Sequence, residues 1–164
     1  MIAAMESRRR GAPGWVLAGG LLAGSLDIAY ACAFWWVKSS VPPPRIFQSV
    51  AAGLLGDASF RGGAATAALG LALHLAIATT MAVAYAIAAA RWPLLVRRSW
   101  ASGILYGLLL YAVMNYGVVP LSAAGPGSRD PLWVGLSIAV HALLIGLPIA
   151  LAVRRSHQSS GRSS

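Results

Sequence analysis

Read as a succession of apolar and polar positions, the chain shows four long apolar stretches, at about 15–37, 64–90, 99–119 and 132–153. The purest runs from Ala64 to Ala90, without a single Lys, Arg, Asp or Glu. As an α-helix it is ~40 Å long at ~1.5 Å per residue, more than a ~30 Å hydrocarbon layer requires. Within it, residues four apart line up along one side of the helix. Ala64, Ala68, Ala72, Ala76, Thr80, Ala84 and Ala88 make one row of small residues. Thr66, Gly70, His74, Ala78, Ala82, Ala86 and Ala90 make a second, roughly opposite. Small side chains let helices approach closely in lipid, where apolarity alone does not drive them together. This helix is therefore predicted to lie between two neighbours.

The other stretches carry packing signals of the same kind. The first holds Gly20-x-x-x-Gly24, with Ala23, Asp27 and Ala31 continuing at fourth positions, and the third holds Gly103-x-x-x-Gly107. Pro120 is expected to end the third and Pro148 to bend the fourth. Between the first two stretches, Pro42, Pro43 and Pro44 interrupt the helix, and Pro44 suits the opening of the next. Ile46, Val50 and Leu54, with Phe47, Ala51 and Leu55, give residues 44–55 one apolar side. Such a segment is too short to span and is predicted to be an interfacial amphipathic helix in the first outer loop. Residues 122–131 read as a turn-rich loop.

The pattern predicts an all-α polytopic membrane protein of four transmembrane helices plus that short helix. It divides the chain into a basic cytoplasmic segment (1–14), a transmembrane domain (15–153) and a disordered cytoplasmic tail (154–164). Composition agrees: the 164 residues are 58% hydrophobic and only 10% charged, against ~25% charged in soluble domains. Mean hydropathy is +0.70.

The net charge of +9 does not point to nucleic acid, because the basic residues gather at the ends of apolar runs, where lipid headgroups account for them. Arg8, Arg9, Arg10, Arg91, Arg97, Arg98, Arg154, Arg155 and Arg162 fall on one side of the predicted topology. Lys38, Arg45, Arg61 and Arg129 fall on the other. The excess places both termini in the cytoplasm. Trp15, Trp92 and Trp100 then mark the inner interface, and Trp35, Trp36 and Trp133 the outer one. The first stretch is read as retained rather than cleaved, because it is too long for an export signal's apolar core and contains Asp27. Cys32 is the single cysteine, so an internal disulfide or paired-thiol metal site is excluded.

Each span carries one conspicuous polar residue: Asp27, His74, Asn115 and His141. Counted from the span ends at ~1.5 Å per residue, the first three lie near mid-depth and Asn115 nearer the outer face. Ionisable groups at that depth normally turn inward, since an Asp there costs at least ~2.5 kcal/mol. Three readings of the cluster stand open. The polar groups tie the bundle together; or Asp27 carries protons or ions with a histidine as relay; or His74 and His141 ligate a metal or haem. No cofactor is predicted from the residues alone. No GxSxG, Walker A, HExxH or CxxC motif is present, so catalysis, though open, has no motif to support it.

Several short features then resemble the YagU-like family of small bacterial inner-membrane proteins. They are the basic start Arg8 to Arg10, Val41-Pro42-Pro43-Pro44-Arg45, and His74 followed by Ala82-Val83-Ala84-Tyr85. Trp100-x-x-Gly103-x-x-x-Gly107, Pro120-Leu121, and His141 in a span closing at Arg154-Arg155 complete the likeness. The resemblance covers residues 8–155 and implies an integral inner-membrane protein of about four helices. It implies no catalytic residues. The leading functional expectation is a structural or accessory membrane component, associating with the bilayer and with a second copy or another membrane protein. Gly20, Gly24, Ala64, Ala68, Ala72, Ala76, Gly103 and Gly107 are its packing surfaces. The alternatives are a proton- or ion-coupled transporter or channel using Asp27 and His74 or His141, and a haem- or metal-binding protein.

Overall fold

The computed structural model describes the backbone of residues 2–161 and the side chains of residues 13–159. Arg8 to Arg10 and residue 162 onward therefore lie outside the described side chains. The elements are α1 (Ile2–Ser39), α2 (Pro43–Leu55), a 3-10 turn (Gly56–Arg61), α3 (Gly63–Arg91) and the short α4 (Leu94–Arg97). Next come α5 (Ser99–Leu121) and α6 (131–161). No strand occurs among the described residues. Four segments are long and apolar enough to cross a membrane: Pro13–Ser39, Gly63–Arg91, Ser99–Leu121 and Pro131–Ser159. These match the expected spans to within a few residues, except at the C-terminus. There α6 continues as helix to Gly161, where a disordered tail was expected from residue 154. Its extra turns have partners: Val153 and Ser156 are buried, Arg154 reaches the Ser99 hydroxyl, and Arg155 lies 5.5 Å from the Trp15 ring.

The four long helices run alternately up and down. Trp15 lies beside Arg155 at one end, which we call the terminal end, and Lys38 pairs with Asp130 at the other, the α2 end. Glycine decides which helices touch. A Cβ on Gly20 would stand 2.7 Å from the Thr79 Cα, and one on Gly24 2.9 Å from the Ala78 methyl. Gly19, one position round α1, faces Ala152 and Ile149 of α6 instead. Hence α1 lies between α3 and α6, while α3 itself touches both α1 and α2. On α3 the row containing Gly70, Ala78 and Ala82 is buried. Ala64, Ala68, Ala72 and Ala76 are exposed. The two neighbours of α3 thus meet its Gly70 row, and the Ala64 row stays exposed.

Gly103 and Gly107 do pack as expected, against α6. A Cβ on Gly103 would lie 2.9 Å from the Ala150 methyl, and one on Gly107 would run into the His141 carbonyl. Both α5 and α6 widen into π-helical turns, at Met114–Val118 and His141–Gly146. Each stands just before a proline, Pro120 or Pro148, whose ring and missing N–H disturb the preceding turn. The expected bend at Pro148 thus takes the form of a widened turn.

At the terminal end Tyr85, Ile149 and Val153 are almost fully enclosed, with Ala82, Ala89, Ala150 and Val16 around them. Here α3 meets α5: the Tyr85 and Tyr106 rings lie 4.9 Å apart. The Tyr106 hydroxyl donates to the Met81 carbonyl at 2.8 Å. Toward the α2 end the same two helices part, and α2 lies across the opening. It packs along α3, with its Phe47 carbonyl over Gly70, where a side chain would collide. Gln48 Nε2 donates to the Gly63 carbonyl at 3.0 Å. On the far side, Ala123 N donates to the Gly53 carbonyl at 3.0 Å. Gly56, at φ +57°, closes α2 in the left-handed region that favours glycine.

Candidate functional site

Beneath α2 lies a cavity of about 670 Å³. Its walls come from rows of fourth positions on facing helices: Ala23, Asp27, Ala31 and Trp35 from α1, and Trp133, Ser137, His141 and Ile145 from α6. From α3 come His74, Ile77 and Met81, from α5 Leu110 and Met114, and from the α2 side Arg45, Ser49 and Asp57. These rows need no special backbone, because a helix repeats its facing side every fourth residue.

At mid-depth, His74 Nε2 stands 3.7 Å from Asp27 Oδ2 and 2.9 Å from the Gly24 carbonyl. A carbonyl can only accept, so Nε2 carries the proton and, in the neutral ring, Nδ1 keeps the lone pair. The missing side chain at Gly24 is what brings α3 close enough for this ring to reach a main-chain oxygen of α1. Asp27 makes no hydrogen bond among the described residues. Its side chain is 21% exposed and that of His74 17%, so both are open to the cavity rather than sealed in packing.

His141 occupies the α6 wall. Its Nδ1 donates to the Ser137 carbonyl at 2.9 Å, leaving Nε2 as the acceptor in the neutral ring. Tyr111 meets the ring edge-on at 5.3 Å. Asn115 lines the same cavity, but its amide turns back to the Tyr111 carbonyl, 3.0 Å away on its own helix. All four polar residues singled out in the sequence line the cavity, and among them Asp27 and His74 approach to 3.7 Å. Asn115 belongs to the wall only.

Sequence reasoning missed the aromatic wall above Asp27. Tyr30 stacks on Trp133 at 5.3 Å and 8° between planes, and Trp35 lies 5.3 Å from Trp133. Trp35 and Trp133 face the cavity as well as marking an interface; their fourth-position spacing to Asp27 and His141 was the available signal. Across the top, Lys38 pairs with Asp130. Asp130 also caps α6, accepting from Trp133 N at 2.9 Å. The Lys38 ammonium, and then the Trp133 N–H, hold the Asp130 carboxyl below the usual carboxylate range.

The arrangement sets a carboxyl group 3.7 Å from an imidazole, and it has room for a small molecule above them. Among the described residues, no three His, Cys, Asp or Glu are grouped to hold a metal ion. No family model, curated protein or solved structure matches this chain.

Proposed function

We propose that this chain is a multi-pass protein of a bacterial inner membrane, with both termini cytoplasmic, that passes protons through the Asp27–His74 pair. The proton movement is coupled to a solute held in the cavity above the pair. One observation carries the reading: a mid-span carboxylate, 3.7 Å from an imidazole, opens onto a cavity and has no hydrogen bond of its own. A carboxylate kept only to tie helices together would be expected to use its oxygens on neighbouring donors. The orientation rests on the nine basic residues that the topology gathers at the terminal end and in the termini, with α2 facing outward along the interface. The YagU-like resemblance supports the location and assigns no activity.

The test is proton flux in proteoliposomes under an imposed pH gradient, read with an entrapped dye. The parent protein should dissipate the gradient, and Asp27→Asn should slow this at least tenfold while remaining folded. A parent protein that leaves the gradient intact defeats the proposal. A Soret band in the purified protein would favour the haem reading instead.

A structural or accessory role is the second reading. It is favoured by the exposed row Ala64, Ala68, Ala72 and Ala76, a surface suited to a second copy or another membrane protein. A stable dimer in mild detergent, combined with absent flux, would select it.

A further inference from the structure

We infer that the solute taken by this cavity is a small organic cation, an alkylammonium or quaternary ammonium with apolar substituents. This rests on reading the cavity as a solute site and adds the chemical class.

The charges facing the cavity decide the sign. Asp27 comes from α1, His74 from α3, His141 from α6, Arg45 from α2 and Asp57 from the turn after it. Arg45 is engaged at the rim, its guanidinium 4.2 Å over the Phe60 ring and 3.5 Å from the Phe60 carbonyl. At mid-depth the acidic group is Asp27, which has no hydrogen-bond donor among the described residues. In their neutral forms, His74 Nδ1 and His141 Nε2 add lone pairs, not donors. An anion placed there would meet like charge, and a neutral solute would leave the carboxylate unpaired in an apolar surrounding. A cation removes both costs.

The walls decide the rest. Ile77, Met81, Leu110 and Met114 are apolar or polarizable, and Trp35 and Trp133 add aromatic faces. Trp133 is fixed by its stack on Tyr30 at 5.3 Å. Indole faces attract ammonium groups through the ring quadrupole. A volume of about 670 Å³ falls within the range of roughly 300–1,000 Å³ for small-molecule sites. A bare metal ion or a proton alone would leave most of it unused.

The experiment is calorimetric titration of the purified full chain in detergent with n-hexylammonium. Hexanoate and hexanol serve as anionic and neutral probes of the same length. Hexylammonium should bind at least tenfold more tightly than either, and Asp27→Asn should lose at least tenfold. Should that variant fail to fold, the parent protein decides by its order of affinity for the three probes. Equal binding of hexanoate or hexanol, or an affinity indifferent to Asp27→Asn, overturns the inference. Binding of hexylammonium without proton flux would overturn the proton-transfer reading alone. Flux through a cavity blind to hexylammonium would overturn this one alone.

Discussion

At the terminal end, Ile149 and Val153 are sealed completely, while toward the α2 end the same helices stand apart around open space. The two halves are built from the same helices by different means. Near the termini, Gly19, Gly20, Gly103 and Gly146 bring backbones together, and stability comes from close packing. At the other end, separate polar ties hold the walls in place: Lys38 to Asp130, Gln48 to Gly63 and Ala123 to Gly53. A cavity cannot be packed shut and still admit a solute. The division lets one half supply rigidity while the other stays hollow.

The largest effect should come from Gly103→Leu. Its side chain has no space between Ala150 and the Leu147 backbone. Overpacking against main chain should cost about 3 kcal/mol, at the upper end of the usual range. It should show as loss of folded protein in detergent or a sharply lower unfolding midpoint. Next comes a paired truncation. Ile149→Ala, at a site 0% exposed, should cost about 2 kcal/mol through the void it leaves. Met114→Ala on the cavity wall should cost under about 1 kcal/mol, because no new void is enclosed. Equal losses from the two would erase the distinction between the halves. Asp27→Leu should act in the opposite direction, abolishing proton flux while stabilising the fold by about 1 kcal/mol. It removes a mid-span charge that no hydrogen bond compensates.

The smallest effect concerns pH at the α2 end. The Asp130 carboxyl is depressed by Lys38 and by the Trp133 N–H, so it binds a proton less readily when folded than when unfolded. Its contribution is therefore fully present above about pH 4 and fades as the pH falls further. Asp130→Asn should flatten that acid-side decline in unfolding midpoint and leave neutral-pH behaviour nearly unchanged, because the pair is exposed.

Much of the scaffold could be read before any coordinates, since charge-free runs ending in arginine and tryptophan leave few alternatives to spanning helices. Gly20, Gly24, Gly103 and Gly107 announced close contacts, but a fourth-position row does not name the helix it meets. That is why the exposure of Ala64, Ala68, Ala72 and Ala76 does not show in the pattern. The depth of Asp27 and His74 followed from counting residues, whereas their 3.7 Å approach depends on Gly24, whose role emerges only once α1 and α3 are paired. Asn115 illustrates the opposite limit: its depth was countable, but a side chain that bonds to its own helix gives no sign of this in the pattern. The helicity of α2 was legible in its amphipathic spacing. Its position across the α3–α5 opening was not, because the Gly53–Ala123 tie joins backbones and carries no residue signature.

The widened turn at His141–Gly146 has a consequence for the evolution of such a chain. Because it holds a residue more than a regular turn would, excising any single residue there would restore ordinary winding. The helix beyond would keep its aim, because the widened turn is what absorbs the additional residue. Ile149, Val153 and Arg154 would still face their partners, whereas the same gap in the regular winding nearby would swing whatever follows it by about 100°. One-residue gaps should therefore be tolerated at this place and damaging on either side of it.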